Sequence, residues 1–239
     1  MTLINPINPR RLLKEKNGRE RLYALLCNAG YVPQKEPLDE MCNAIFMATP
    51  IFLAGQRGGG KTAFLEALAK ALGLPLFTLV GLPNTNTDYV LASWDRAAQQ
   101  HYVGMELLNK TPFAEAQAKQ WTRDFLKLGE VLEGFDYSAR NKIPSVILCD
   151  EWDKTPEELD SALLQLLGRG FVNVPQLRPD NRLGFTPETS PEERYFSYPI
   201  VGLTSNNVRE FSPPLLSRLW YCHIPSPSVP EMVRILASA

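Results

Sequence analysis

The sequence predicts an α/β domain with a parallel sheet flanked by helices, and three observations predict it. Four short apolar runs bounded by turn residues are typical of strands buried on both faces, namely residues 50–54, 76–80, 144–149 and 200–204. Apolar residues recur at helical spacing between these runs. A glycine-rich loop joins the first run directly to a helical segment. Strands that alternate with helices in this way favour a parallel sheet over an all-helical or all-β domain.

The composition of the 239 residues favours a soluble, cytoplasmic globular protein. Hydrophobic residues make up 44% of the chain, and 25 basic against 26 acidic side chains give a net charge of −1. That balance provides no long-range field that would attract nucleic acid or an anionic membrane. The N-terminus has no apolar signal segment, and no run approaches the ~18 apolar residues of a membrane span. We therefore expect no membrane partner.

The segments before the first strand are predicted to be helical. Residues 1–20 are rich in Asn, Pro and basic side chains and are interpreted as an N-terminal arm or a short helix. Two apolar faces between Arg19 and Met47 predict two helices, which a turn at residues 30–33 separates. The chain has four widely separated cysteines, Cys27, Cys42, Cys149 and Cys222. They form no CxxC pair, so we expect reduced thiols without a catalytic role.

The glycine-rich loop matches the complete pattern GxxxxGK[ST] between a buried strand and a helix that Gly73 closes. Glycines let successive backbone N–H groups turn toward an anion, Lys61 reaches the β- and γ-phosphates, and the Thr62 hydroxyl can bind Mg²⁺. We therefore predict a site for ATP and Mg²⁺ formed by Gly55, Gln56, Arg57, Gly58, Gly59, Gly60, Lys61, Thr62 and Ala63. A chance match is the alternative, against which the strand and helix around the loop argue.

A long interval from residue 84 to residue 141 follows the second strand and carries apolar residues at helical spacing. We expect a helical insert at the edge of the sheet that contacts neighbouring subunits or a client protein rather than nucleotide. Trp94 and Trp121 are interpreted as core residues of this insert, because large aromatic side chains are more often buried than used as contacts.

The third apolar run ends in two acidic residues, Asp150 and Glu151. Beside a phosphate loop, Asp150 would hold Mg²⁺ through water, and Glu151 would act as general base toward the attacking water. Alternatively, the pair begins a solvated loop. An acidic residue at the end of a buried strand is an unusual place for a solubilising charge, which favours the functional interpretation. Asp153 is interpreted as a cap or loop residue.

One further helix and one further strand are predicted beyond this point. Thr155 is expected to be the N-cap of a helix that extends through Leu167, in a capping box with Glu158. The polar, proline-bearing residues 178–197 are interpreted as a surface loop or loose hairpin, and the strand at 200–204 follows.

Two polar residues after the last predicted strand complete the candidate site. Asn206 lies where the edge of the sheet would meet the γ-phosphate, and Arg218 follows it on the PPLLSRL motif. The alternative for Asn206 is that it forms a turn together with Asn207, and for Asn207 we prefer this interpretation. The alternative for Arg218 is a surface arginine on a short helix.

Five motifs in order resemble the AAA+ ATPases of the MoxR family: GYV at 30–32, GQRGGGKT at 55–62, VILCDE at 146–151, LTSN at 203–206 and PPLLSRL at 213–219. The resemblance covers residues 19–227 and implies a P-loop NTPase fold with an AAA+ core. It implies that Tyr31 and Val32 contact adenine, that Asn206 is the sensor 1 residue, and that Arg218 acts as an arginine finger.

Within this likeness, the segment TNTDYVLASWDRAAQQHY at 85–102 is similar to the CoxD-like branch, which usually has an Asn-Tyr type motif where residues 94–96 stand here. The resemblance implies an AAA+ core at 21–227 that contains the helical insert and, at 178–197, a hairpin before the sensor strand. A helical lid normally follows such a core. Residues 228–239 are expected to be only the start of a truncated lid.

The resemblance implies ATP hydrolysis that remodels or matures a protein complex in a chaperone-like way. The family implies a homo-oligomeric ring, expected to be a hexamer, and a client beside a von Willebrand A domain protein. One alternative is a nucleic-acid motor, against which the near-zero charge and the lack of a basic stripe count. The other is an ATP-binding switch with little turnover, against which the intact set Lys61, Thr62, Asp150 and Glu151 argues.

Overall fold

The computed structural model describes residues 5–206, 208–228 and 232. Its helices are α1 (Pro9–Leu12), α2 (Gly18–Asn28), α3 (Lys35–Phe46), α4 (Lys61–Leu72), α5 (Thr87–Val90), α6 (Arg96–Leu108), α7 (Phe113–Lys119), α8 (Glu130–Asn141), α9 (Glu158–Arg169), α10 (Pro191–Ser197) and α11 (Pro213–Leu216). Its strands are β1 (Ile51–Ala54), β2 (Leu76–Val80), β3 (Ala92–Trp94), β4 (Leu126–Leu128), β5 (Val146–Asp150), β6 (Phe171–Asn173), β7 (Arg182–Gly184), β8 (Ile200–Ser205) and β9 (Trp220–His223).

A five-stranded parallel sheet in the order β2-β5-β8-β1-β9 forms the centre of the domain. This confirms the predicted fold class, and all four predicted strands are present. β9 is not predicted from the sequence, because its apolar run, Trp220 to Cys222, is too short to distinguish a strand from the end of a helix. Since β8 lies between β1 and β5, the carboxyl ends of these three strands are neighbours, and the residues that follow them meet at one edge of the sheet.

Helices cover both faces of the sheet, and β5 shows how the sequence produces this arrangement. Val146 and Leu148 belong to the core formed with α2, α3 and α4, whereas Ile147 and Cys149 belong to the core formed with α8 and α9. Successive side chains of a strand point to opposite faces, so a strand buried on both faces must be apolar at every position.

All four cysteines are free thiols, as expected. Burial raises the pKa of Cys149 to about 12 and that of Cys222 to about 12. Both therefore remain protonated at neutral pH and are poor nucleophiles.

The helical interpretation of residues 84–141 is wrong at two places. β3 and β4 form a two-stranded antiparallel sheet, in which Trp94 pairs with Leu126. Moreover, α8 is part of the main domain, because Val131, Leu132 and Phe135 are fully buried in the core on one face of the sheet. Three-residue strands are too short for periodicity to reveal. Trp94 and Trp121 pack edge to face at 5.0 Å and are half-buried.

Residues 178–197 are more ordered than a surface loop. β7 pairs with β6 as an antiparallel hairpin, in agreement with the hairpin alternative, and Leu183 and Phe185 are buried. The end of the segment is the helix α10, whose N-cap Ser190 accepts a hydrogen bond from the Glu193 amide. Of the three prolines in this segment, Pro191 stands at the start of α10, where a missing N–H costs nothing.

The predicted capping box at Thr155 is wrong. α9 starts at Glu158 after an N-cap at Glu157, and no side chain caps it. The Thr155 hydroxyl instead donates to the Trp152 carbonyl oxygen at 2.8 Å. The Thr155 hydroxyl therefore stabilises the turn at Trp152 and does not cap α9, contrary to the prediction from the local sequence.

The N-terminal arm is anchored in the domain. As predicted, it contains a short helix, α1. Arg10 is buried and donates to the carbonyl oxygens of Ile45 at 2.9 Å and Tyr198 at 2.6 Å. Within the described residues, no helix has both the length and the apolar character needed to cross a membrane. The predicted start of a lid at 228–239 lies outside the described residues except at Ser228 and Met232.

Candidate nucleotide-binding site

The loop between β1 and α4 has the backbone geometry of a phosphate cradle. Gly58 and Gly60 have φ of 77° and 86°, where an L side chain is strained. Gly60 is the N-cap of α4 and offers no side-chain hydrogen bond to the first amides of the helix. Gly55 must be glycine because a Cβ there would lie 2.2 Å from the Ile224 carbonyl oxygen. The loop thus leaves N–H groups for an anion at the positive end of α4.

Lys61, the first residue of α4, is only 7% exposed and directs its ammonium into this loop. Its Nζ donates to the carbonyl oxygens of Gly55 at 2.7 Å and Gln56 at 2.9 Å, and to Asn206 Oδ1 at 3.1 Å. Burial lowers the pKa of Lys61, while the nearby carboxylates, first of all Asp150, act in the opposite direction. A desolvated cation with acceptors that a phosphate can replace is suited to binding a polyphosphate.

Thr62 and Asp150 face each other across the loop. Thr62 Oγ1 donates to Asp150 Oδ1 at 2.8 Å, and Thr204 Oγ1 donates to the same oxygen at 2.6 Å. This hydrogen bond joins the start of α4 to the end of β5. A hydroxyl and a carboxylate oxygen are hard oxygen ligands of the kind that Mg²⁺ prefers, so the residues present fit this ion.

Glu151 has a left-handed backbone, with φ of 51°. Its amide donates to Thr204 Oγ1 at 2.8 Å, which fixes this conformation against β8. Oε1 accepts from Asn206 Nδ2 at 3.1 Å, and Oε2 forms an ion pair with Lys154 at 2.5 Å. A non-glycine residue in this region is uncommon and strained, and such residues cluster at functional sites, although Ala48, Lys110 and Lys142 adopt it elsewhere in the described chain.

Asn206 connects the two halves of the site, because its side chain contacts both Lys61 and Glu151. It follows β8, the strand between β1 and β5, and so lies between the residues that those two strands present. Asn207, predicted to be a turn residue, lies outside the described residues.

Two adjoining cavities run along the loop. The first, of about 320 Å³, is lined by Arg57, Gly58, Gly59, Gly60, Lys61, Thr62, Ala63, Asp150, Glu151, Thr204 and Asn206. The second, of about 240 Å³, is lined by Gly30, Tyr31, Val32, Gln34, Pro37, Gly58, Gly59, Gly60, Ala63, Ile224, Pro225 and Pro227. One is polar and charged and the other largely apolar, which matches the two ends of a nucleotide. The Tyr31 ring stacks on Phe64 at 4.9 Å, which holds the GYV turn against α4.

Arg218 is the one predicted site residue that does not join this cluster. It is exposed, and its guanidinium lies near Gly168 at the end of α9. Within the described residues it lines neither cavity and forms no ion pair. Its position leaves it available to another molecule.

Three residues at the site are not predicted by the sequence. Thr204 bonds both acidic residues of the site, Lys154 pairs with Glu151, and Asp153 is buried beneath Asn206. Asp153 and Lys154 lie two and three residues after Glu151, and this closeness in the chain is a signal that could have identified them. Thr204 lies inside an apolar strand, where a hydroxyl has no evident reason to be.

Residues 50–219 match the family model described as AAA domain (dynein-related subfamily). Among solved structures, the chain is similar to a crystal structure of a "putative ATPase" from Cytophaga hutchinsonii ATCC 33406. The TM-score is 0.56 and the identity 16%, over 92% of this chain and 55% of that one, so this similarity shows the fold alone. The chain spans about half the length of that protein. No curated protein matches the sequence. The family match covers most of the chain, including the phosphate loop and the acidic pair, and the chain therefore belongs to the AAA domain family, in the dynein-related subfamily.

Proposed function

We propose that this chain binds Mg-ATP and hydrolyses it as a MoxR-like AAA+ ATPase that remodels a protein complex. The observation that carries the proposal is the hydrogen-bonded meeting of Lys61, Thr62, Asp150, Glu151 and Asn206 at one edge of the sheet. Phosphoryl transfer depends mainly on positioning and on compensating charge, and this set supplies both.

The proposed residues have separate roles. The Lys61 ammonium and the loop amides bind the β- and γ-phosphates, while Thr62 and Asp150 hold Mg²⁺, which neutralises phosphate charge when bound. Glu151 accepts a proton from the attacking water, and Asn206 orients that water. Each Glu151 oxygen accepts one contact, from Asn206 or from Lys154, and a carboxylate has about four acceptor sites, so a lone pair stays free for the proton.

The apolar cavity is the proposed place of the adenine ring. Tyr31 and Val32 line it, and it shares Gly58, Gly59, Gly60 and Ala63 with the polar cavity. The base and the phosphates of one nucleotide therefore lie on opposite sides of the same stretch of loop.

Replacing Lys61 by alanine should weaken ATP binding by about 100-fold, because the charge-assisted bonds to phosphate are lost and the loop amides cannot replace them. Calorimetric titration of the folded variant with Mg-ATP measures this. Lys70→Ala is the matched control, since Lys70 is an exposed lysine on the same helix. Equal affinities of unmodified and Lys61→Ala protein would refute the nucleotide site.

We infer that the active form is a homo-oligomeric ring, a hexamer as in the resembling family, with a protein client and a von Willebrand A domain protein as candidate partners. AAA+ proteins typically form rings, and the exposed Arg218 lies outside its own site. A salt-dependent affinity of the chain for DNA or RNA would overturn the preference for a protein client.

The hairpin of α6 and α7 is the proposed contact with the client. Its tip exposes four large apolar side chains, Met105 at 47%, Leu107 at 44%, Leu108 at 77% and Phe113 at 58%. Exposed apolar groups concentrated in one place indicate an interaction surface.

Changing Leu108 and Phe113 together to serine should lower the affinity for a permanently unfolded model polypeptide by about 10-fold, since apolar area no longer leaves water on binding. ATP binding and hydrolysis should stay unchanged. Fluorescence anisotropy of the labelled polypeptide measures the effect. Met47→Ser is the control, because Met47 is equally exposed but lies after α3. A loss of nucleotide binding in the folded double variant would show that this hairpin serves the site instead.

A further inference from the structure

Asp153 is buried directly behind the candidate site and binds the backbone that follows β8. It is 2% exposed, and its Oδ2 accepts from the amides of Asn206 at 2.9 Å and Val208 at 2.8 Å. One carboxylate oxygen thus holds the loop that carries the Asn206 side chain. Asp153 is two residues after Glu151, so the same short turn carries the proposed base and the anchor of Asn206.

A second buried carboxylate holds the other end of this loop. Asp160 is fully buried and accepts from Arg209 Nη2 at 2.8 Å, from the Ser212 amide at 2.8 Å and from Trp152 Nε1 at 2.9 Å. Burial alone would raise the pKa of Asp160, but the hydrogen bonds from Arg209, Ser212 and Trp152 hold it below its ordinary value. The loop is therefore fixed at both ends to the segment that begins with Glu151.

We propose that Asp153 is a positioning residue for ATP hydrolysis. By binding the Asn206 backbone, it holds the Asn206 side chain at bonding distance from Lys61 and Glu151 without touching nucleotide. The proposal rests on the proposed function. The bonds through Asp160 fix the remainder of the loop and leave Asp153 to set the position of its first residue. Removing Asp153 lets Asn206 move away while leaving the phosphate loop in place.

A buried aspartate can also contribute to stability alone. The hydrogen-bond partners of Asp153 argue that it positions the loop after β8 as well. Among the described residues, the two donors that reach Asp153 both belong to the loop after β8, and none belongs to its own turn. A residue that capped its own turn would accept from amides a few positions ahead in the chain. The bonds of Asp153 instead cross between β5 and β8, the two strands that present Glu151 and Asn206.

Amide hydrogen exchange, followed by NMR, tests the contact itself without any need for turnover. In Asp153→Ala the amides of Asn206 and Val208 should exchange about 10-fold faster or more, because a bond to a charged acceptor is lost. The Leu203 amide in β8 should be unaffected. If the alanine variant does not fold, Asp153→Asn replaces it. Asparagine keeps a neutral, weaker acceptor, so the exchange of the same two amides should be accelerated less. Unchanged exchange at both amides overturns the proposal.

Single-turnover hydrolysis then tests the consequence. Asp153→Ala should lower the rate constant by about 100-fold with the Kd for Mg-ATP unchanged, as expected for a misplaced catalytic group. Asp153→Asn should recover most of the rate. Adding Asn206→Ala to Asp153→Ala should lower it little further, because both changes remove one function. Independent, multiplicative losses in the double variant would contradict the proposal.

Asp136→Ala is the matched control. Asp136 is as deeply buried and pairs with Arg123 and Arg140, away from both cavities. Its loss should lower the melting temperature and leave the hydrolysis rate constant of the folded protein unchanged. If the unmodified chain binds Mg-ATP without hydrolysing it, the proposed hydrolytic function fails, and the exchange experiment still decides whether Asp153 holds Asn206.

Discussion

Glu151→Gln should leave Mg-ATP bound while lowering its hydrolysis by about 10³-fold, because glutamine keeps the shape of the side chain and loses the basic oxygen that takes the proton. The Asn206 amide and the Thr204 hydroxyl can still support the residue, since Glu151 bonds Thr204 through its backbone. Equilibrium binding of Mg-ATP and single-turnover hydrolysis, measured on the same preparation, separate the two effects.

Asp150→Asn should behave differently from Glu151→Gln. Asp150 accepts from Thr62 and Thr204 and is the proposed Mg²⁺ ligand, so its loss should weaken the Mg²⁺ dependence of ATP binding as well as the rate. Glu158→Gln is the control, because Glu158 is an exposed glutamate on the same segment. If both site variants lost the same affinity and kept the same residual turnover, the division of roles between base and metal ligand would be wrong.

The parallel sheet could be predicted because each central strand is buried on both faces and must be apolar along its length. β5 shows this pattern, because Val146, Ile147, Leu148 and Cys149 are all fully buried. Both β2 and β9 lie at an edge of the sheet, but β2 has a run of five residues, whereas only Trp220, Tyr221 and Cys222 are apolar in β9 before His223. The short strands β3 and β4 escape prediction for a further reason, since three residues cannot establish a period.

The phosphate loop and the acidic pair could be placed from sequence because local geometry determines them. Left-handed positions need glycine, and an anion site needs the start of a helix. Asp153 could not be assigned in this way. Its partners, Asn206 and Val208, are more than fifty positions away along the chain and meet it only through the pairing of β5 with β8. The hydroxyl of Thr155 was misassigned because a nearby carbonyl competes for it.

Arg218→Ala should lower hydrolysis by about 10³ to 10⁵-fold in the assembled protein, because an arginine finger stabilises the charge that develops on the transferred phosphoryl group. The structure gives the reason to expect this effect between subunits. Arg218 is exposed near Gly168 and lies outside the cavity that Lys61 and Asp150 line. In the proposed ring, a heterologous interface repeated around a closed rotation would bring each Arg218 to the site of a neighbour. Activity should therefore also rise with protein concentration.

Mixing two inactive variants tests whether Arg218 acts between subunits. Lys61→Ala keeps its arginine but cannot bind ATP tightly, whereas Arg218→Ala keeps its nucleotide site and lacks the finger. At a mixed interface the intact Arg218 of one subunit meets the intact Lys61 site of the other, so the mixture should hydrolyse ATP faster than either variant alone. Arg169→Ala, an exposed arginine at the end of α9, should stay active without mixing. A mixture proven to co-assemble by cross-linking that gains no activity would exclude action between subunits, since an arginine serving its own site cannot be restored by a neighbour.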